Sequence, residues 1–295
     1  MIIRLYRKYI PFKVRNFVYK LLLGDILYFT RNFKGIVRAK LSYWFYFLIP
    51  DTPINKSFIF MGKHGICLLP YDFVLKYKYL NIALYIDESN QLPFVFHNNK
   101  KLYFPRTLKL PEVEKTYKQL LAEQDECSPH RYFNSYDELK GKIFLDIGAA
   151  EGIISLNVID FVEHVFLFEY DENWIEALNA TFAQYKNKVT IVKKFVSNIN
   201  DENKLTIDRF LEGKMLNNLV IKMDIEGEEF FALQGANKTF NNAKDIKLSI
   251  CTYHRRDDFE KITSLFFNRG LLYNHSNGRL FHENEFRIGL VRVGC

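Results

Sequence analysis

The 295-residue chain lacks an apolar run long enough to cross a bilayer. Its most apolar stretch, residues 41–49, is flanked by Lys40 and Pro50, whereas a spanning helix needs about 20 apolar residues. Cysteine is sparse and scattered. Cys67, Cys127, Cys251 and Cys295 include no C-x-x-C pair, so neither a zinc site nor a disulfide framework is indicated. They read as free thiols in a reducing compartment, and no metal is expected. The start of the chain lacks an unbroken apolar core and a small-residue cleavage site, because Arg7, Lys8, Lys13, Arg15 and Lys20 interrupt it. A secretory leader is therefore not expected, and a cytoplasmic location is. Acid is almost missing from residues 1–50, where ten Lys and Arg face Asp25 alone, a balance of +9 that leaves −2 for the rest. A near-neutral body argues against nucleic acid as a partner of the catalytic part.

What the chain does contain falls into three zones, 1–52, 53–135 and 136–295. The first is a basic, aromatic arm in which Val14, Phe17, Val18 and Leu21 share a helical face. Two readings stand: an arm packed on the main domain, or peripheral contact with an anionic membrane through residues 1–50. The second zone predicts a small β-meander over 81–86, 93–96 and 102–104 and a helix over 112–126, with Gly62-Lys-His-Gly65 as a turn. The third alternates. Strands are predicted over 143–147, 165–168, 189–192, 219–223, 246–250, 271–274 and 287–293, and helices over 153–161, 174–185, 229–234 and 259–267. Such alternation predicts an α/β fold with a mostly parallel sheet covered on both faces, and a ligand cleft at the carboxyl ends of the strands.

Three segments carry the candidate chemistry. In Leu145-Asp146-Ile147-Gly148-Ala149-Ala150-Glu151-Gly152 an apolar strand runs into a small-residue turn that opens a helix. Glycine and alanine let a ligand approach the backbone. A dinucleotide fingerprint would need a middle glycine where Ala150 stands, and a pyrophosphate would be unwelcome beside Asp146. A ligand with a cationic end suits that carboxylate. S-adenosylmethionine, with an amino group, a sulfonium and no phosphate, is such a ligand. Its expected contacts are Asp146, Gly148, Ala149, Gly152 and Glu169. The last ends the strand Val165-Phe-Leu-Phe168 about 20 residues after the loop, where Rossmann-like folds place a ribose acceptor. The third segment is Lys222-Met-Asp224-Ile-Glu226-Gly227-Glu228-Glu229. Strand alternation puts Lys222, Asp224 and Glu226 on one side, and three charges there are expected to face a cleft.

Together these segments resemble the FkbM-type methyltransferase family, whose hallmarks include an Asp-x-Gly-Ala-x-x-Gly loop, an acid ending the second strand and a Lys-x-Asp-x-Glu-Gly-x-Glu motif. The last matches Lys222, Asp224, Glu226, Gly227 and Glu229, and Leu233-Gln-Gly235-Ala236 follows as the family's Leu-x-Gly-Ala does. The resemblance covers about residues 140–275. It implies a class I Rossmann-like methyltransferase with a seven-stranded sheet that uses S-adenosylmethionine for O-methylation, often of saccharides or secondary metabolites. One departure is visible: where the family often has Glu-x-His after the fifth strand, this chain has Thr252-Tyr253-His254.

The reading is an S-adenosylmethionine-dependent O-methyltransferase acting on a saccharide or glycan hydroxyl. His254 is the first candidate base, because an imidazole titrates near neutrality. Asp224 is the second, with Lys222 beside them, and Glu226 and Glu229 are expected to bind the acceptor. Two rivals remain: a binding protein with a degenerate methyltransferase fold, and an NAD-linked oxidoreductase.

Overall fold

The structure, a computed structural model, describes residues 24–214, 218–242 and 245–294. The face formed by Val14, Phe17, Val18 and Leu21 lies outside them. The described residues form two compact units, one reaching Asp72 and including Phe281–Phe286, the other comprising Phe73–Leu280 and the segment from Arg287 on. These units cut the chain at different points from the expected zones.

In the first unit, α1 (Gly24–Trp44) packs on α2 (Pro53–His64). Their close approach is set by small residues: a Cβ on Gly62 would sit 2.2 Å from the Ala39 carbonyl oxygen. Ala39, Phe58, Met61 and Phe281 form the core there. The turn expected at 62–65 is instead the last turn of α2. Gly65, at φ 95°, caps it by donating its N–H to the Met61 carbonyl at 2.8 Å. Glycine tolerates that backbone conformation, which is why the helix stops there.

The second unit begins with α3 (Val74–Lys78) and the meander β1 (Tyr85–Ile86), β2 (Pro93–His97) and β3 (Lys100–Tyr103). The first strand is far shorter than expected. The meander packs on the larger domain through Leu92, Phe94 and Tyr103 against Ala177. Then α4 (Leu110–Glu123) starts earlier than predicted, because Pro111 falls in its first turn, where its missing N–H costs nothing.

The main sheet is built from β4 (Ile143–Ile147), α5 (Ile153–Val158), β5 (His164–Phe168), α6 (Glu172–Thr181) and β6 (Val189–Val192). A small parallel pair, β7 (Phe195–Val196) and β8 (Lys204–Leu205), precedes α7 (Ile207–Phe210). The chain then returns through β9 (Leu219–Met223), α8 (Glu229–Gln234), α9 (Asn237–Asn242), β10 (Ile246–Cys251) and α10 (Asp258–Asn268). It closes with β11 (Tyr273–His275), the hairpin β12 (Leu280–His282) and β13 (Glu285–Arg287), and β14 (Leu290–Val293). The strand predicted over 287–293 is thus divided between hairpin and sheet. Gly289 sits at the break, where a Cβ would lie 2.4 Å from the Pro129 carbonyl oxygen.

The seven strands run β11-β14-β10-β9-β4-β5-β6. From β10 to β6 neighbours are parallel, and β14 is antiparallel to both β10 and β11. This is the expected mostly parallel, Rossmann-like methyltransferase sheet. Every residue of β9 is buried, as a strand covered on both faces requires. The order reverses between β4 and β9, whose last residues Ile147 and Met223 are paired. The residues that follow those two strands therefore meet at one place, the crevice where ligands bind in open α/β sheets.

Candidate active site

A cleft of about 610 Å³ opens at that switch point. Its walls come from the ends of β4, β5 and β9 and from β7 and β8, and include Gly148, Glu169, Trp174, Phe195, Asp224 and Glu226. Tyr170 and Phe195 stack on one side, with ring centroids 4.0 Å apart. Among the lining residues, Glu169, Asp171, Asp224, Glu226 and Glu228 are acidic and only Lys194 and Lys204 are basic. An acid-rich, aromatic-walled cleft fits a cationic ligand with a flat ring system. It fits a pyrophosphate poorly.

Gly148 serves the protein before any ligand. At φ 76°, a Cβ on it would lie 1.9 Å from the Asp224 carbonyl oxygen. The close pairing of β4 with β9 therefore demands glycine there. Gly152, at φ 74°, is similarly pressed by Leu178 and Phe182 of the α6 region. Ala149 is buried, and its N–H donates to the Phe168 carbonyl at 3.1 Å.

Glu169 lies on the cleft wall. Its carboxylate accepts the N–H groups of Ala150 at 3.0 Å, Tyr170 at 2.7 Å and Asp171 at 2.9 Å. A carboxylate offers roughly four acceptor positions, so about one is left for a hydroxyl in the cleft. Holding the loop and receiving a ribose hydroxyl are compatible in this geometry.

Asp146 and Lys222 do not line the cleft. Asp146 is 1% exposed. Lys222 Nζ lies 2.9 Å from its Oδ1, and Ser155 Oγ donates to its Oδ2 at 2.7 Å. The structure thus turns the carboxylate expected to meet the cationic end of a ligand into a buried anchor. Lys222 also donates to the Gly148 carbonyl at 2.6 Å and lies over the Tyr132 ring. Burial works against its charge, but the charges of Asp146 and Asp224 hold its pKa above the ordinary lysine value.

Asp224 is the focus of the site. It is partly exposed on the cleft wall, and its Oδ2 accepts the Tyr132 hydroxyl at 2.6 Å. His254 Nε2 lies 3.3 Å from Oδ1, and His130 Nε2 lies 3.8 Å from Oδ2. Burial would raise its pKa, but His130 where acid protonates it, the charges of Lys222 and His254, and the Tyr132 hydrogen bond hold it below the usual carboxylate value.

His254 stands behind Asp224, and its Nδ1 lies 2.9 Å from Glu229 Oε1. Burial lowers its pKa, but Glu229, Asp224 and Glu226 outweigh that and raise it. A raised pKa leaves less of the imidazole free to take a proton at a given pH. Glu229, expected to bind the acceptor, is 0% exposed and also accepts the Ile225 N–H at 2.8 Å. It shapes the turn after β9 and orients His254. Glu226 is the opposite: it sits at φ 57° with its side chain 94% exposed at the cleft rim. The three charges expected on one side thus separate into buried Lys222, wall residue Asp224 and rim residue Glu226.

Sequence reasoning missed His130, Tyr132 and Tyr253. The segment at 128–132 precedes β4 and carries no motif. It reaches the site because the Tyr132 carbonyl accepts Ser249 Oγ at 2.8 Å and Arg292 Nε at 3.0 Å. Burial lowers His130 to a pKa of about 4, so it is neutral, and it packs edge-on to both tyrosines. Among the described residues, two groups bring three potential metal-ligand atoms within 4.8 Å of one another: His130, Asp224 and Cys251, and Asp224, Glu229 and His254.

The sheet and the cleft define the class I methyltransferase fold. Residues 169–273 match the family model described as the Methyltransferase FkbM domain, so the resemblance is borne out from Glu169 through the Lys222–Glu229 motif to His254. The matched range does not include the loop 146–152. Methyltransferase FkbM from Methylobacillus flagellatus KT is similar at 20% identity and a TM-score of 0.42, over 60% of this chain and 54% of that one. This chain therefore spans about half the length of that relative. Precorrin-6y C5,15-methyltransferase from Geobacter metallireducens GS-15 matches at 12% identity and a TM-score of 0.36, over 54% of this chain and 85% of that one. An rRNA methylase from Streptococcus thermophilus matches at 10% identity and a TM-score of 0.35, over 54% and 88%. No curated protein matches the chain significantly.

Proposed function

We propose that this chain is an S-adenosylmethionine-dependent methyltransferase that methylates a hydroxyl of a saccharide or glycan intermediate. The observation that carries the reading is the partly exposed Asp224 carboxylate, placed between the glycine turn at Gly148 and the exposed rim residue Glu226. S-adenosylmethionine, when bound, supplies a methyl group on a positively charged sulfur. The cleft's excess of carboxylates favours that positive charge, Glu169 receives a ribose hydroxyl, and Trp174, Tyr170 and Phe195 offer faces to the adenine.

On the acceptor side, Asp224 Oδ1 faces His254, while Oδ2 is taken by Tyr132. An acceptor hydroxyl that donates to Oδ1 is oriented by it and passes its proton there as the oxygen is methylated. His254 and Glu229 act through Asp224, fixing its direction and its charge. Base character thus moves from His254 to Asp224. Carboxylates at the rim suit a polyhydroxylated acceptor, since each accepts hydroxyl hydrogen bonds. The same carboxylates repel phosphate, which disfavours a nucleic acid acceptor and an NAD-linked activity. The cytoplasmic setting rests on the cysteines, of which Cys67, Cys127 and Cys251 are free thiols.

Calorimetry with S-adenosylmethionine and with NAD tests the cofactor. Mass spectrometry of host glycans and metabolites, with and without the protein, tests the acceptor through the gain of one methyl group. Binding of NAD alone would remove the reading. Tight S-adenosylmethionine binding with no methylated saccharide would remove the acceptor class and leave the cofactor.

A further inference from the structure

Helix α1 packs inward with its small residues and presents its large ones outward. Ala39 is 1% exposed, and a Cβ on Gly35 would lie 2.9 Å from both Asn284 Oδ1 and the Phe281 ring. Phe29, Phe33, Val37 and Leu41, each four residues after the last, are all exposed, and Phe45 continues the row. Beyond it the chain turns through Tyr46–Leu48, and Trp44, Tyr46, Phe47 and Leu48 are 62–70% exposed. An ordinary amphipathic helix buries its large apolar face and shows water its polar one. Among its described residues this one buries only the small Gly35 and Ala39 and leaves its large apolar residues in water, and so large an apolar surface marks an interaction site.

We propose that this face inserts into an anionic lipid surface, independently of what the cleft transfers. Charge selects the occupant. Residues 26–50 contain Lys34, Arg38 and Lys40, and Arg31 paired with Glu283 of the same unit, and no acid of their own. A second copy of the chain would bring the same positive charge to the contact. Residues 1–23 also contain six Lys and Arg and no acid, so they are no better matched to this face. An anionic bilayer offers both terms, apolar depth for the ring stripe and negative charge for the basic residues. Trp44, Tyr43 and Tyr46 are the amphipathic rings enriched at headgroup level. Among the described residues no helix is long and apolar enough to cross a membrane, so the contact is of the lying kind.

The test is co-sedimentation of the full chain with vesicles of phosphatidylcholine alone or with about a quarter phosphatidylserine, at low and high salt. Anionic vesicles should pellet the protein at least tenfold better than neutral ones, and high salt should erase most of that difference. Trp44→Ser, Phe47→Ser and Leu48→Ser together should cut binding more than tenfold while the melting curve stays cooperative. Lys34→Glu alone should weaken binding only to the anionic vesicles. No pelleting with either vesicle overturns the proposal, as does unchanged pelleting of the triple variant. A wild-type dimer that the triple variant converts to monomer, without vesicle binding, assigns the face to a second copy and overturns it as well.

Discussion

Lys222 Nζ and Asp146 Oδ1 lie 2.9 Å apart, both side chains nearly removed from water, and they join the ends of the two strands that define the cleft. The lysine also holds the carbonyl of Gly148, so one buried ion pair fixes the turn on which any ligand must rest. Removing one partner of such a pair leaves the other charge stranded, at a cost of about 3–5 kcal/mol. Lys222→Met should therefore lower unfolding stability by that order in chemical denaturation. The double variant Asp146→Leu with Lys222→Met should lose less than the sum of the single losses. Additive losses would show that the two side chains do not act as a pair.

Glu169 should matter to cofactor affinity more than Gly148 can reveal. Gly148→Ala would strain the backbone against Asp224 and is expected to destabilise the protein whatever it binds. Glu169→Gln keeps a carbonyl oxygen for the loop and loses the charge. Calorimetry should show S-adenosylmethionine binding weakened by about 1–3 kcal/mol, and the melting temperature of the free protein should fall too, because the amide NH2 replaces one of the two oxygens that accept loop N–H groups.

Asp224→Asn should lower turnover more than tenfold with cofactor affinity nearly unchanged. His254→Gln should lower turnover less and shift the pH–rate profile, because the imidazole acts through Asp224. Tyr132→Phe removes the 2.6 Å hydrogen bond to Asp224 and should raise the apparent acid-limb pKa. If His254→Gln abolished activity and Asp224→Asn retained it, the base would be the histidine after all.

Stability should fall as pH rises above about 6.5. Burial raises the Glu151 carboxyl to a pKa of about 8, well above its ordinary value. A group whose folded pKa is raised contributes its stability fully below the unfolded pKa and loses it as pH climbs through the folded one. The raised His254 acts in the same direction above its ordinary value near 6.5. Below about pH 6.5 the lowered His130 works in the opposite direction, so denaturation curves should weaken mainly between about pH 6.5 and pH 8. Glu151→Gln, which is neutral at every pH, should flatten most of that slope. An unchanged slope would mean that the folded Glu151 is ionised throughout.

The alternation of strands and helices, the glycine turn, Glu169 and the Lys222–Glu229 motif were all readable along the chain. Period, turn chemistry and spacing are local properties, and in a parallel sheet they determine which loops gather at one edge. What each charge does there was not readable. Asp146, Lys222 and Glu229 resemble ligand residues by spacing, yet the packing of β4 against β9 and the turn at Ile225–Gly227 bury them as supports. His130 and Tyr132 carry no motif and enter the site only because Ser249 and Arg292 tie their segment across β10 and β14. The base assignment likewise depends on neighbours distant in sequence, since the carboxylates around His254 raise its pKa. Composition revealed the basic, aromatic arm, but which of its faces points outward follows from Gly35 and Ala39 packing inward. Proximity of residues distant along the chain, and the loss of water around them, arises only on folding, and those two effects separate a buried anchor from a wall of the cleft.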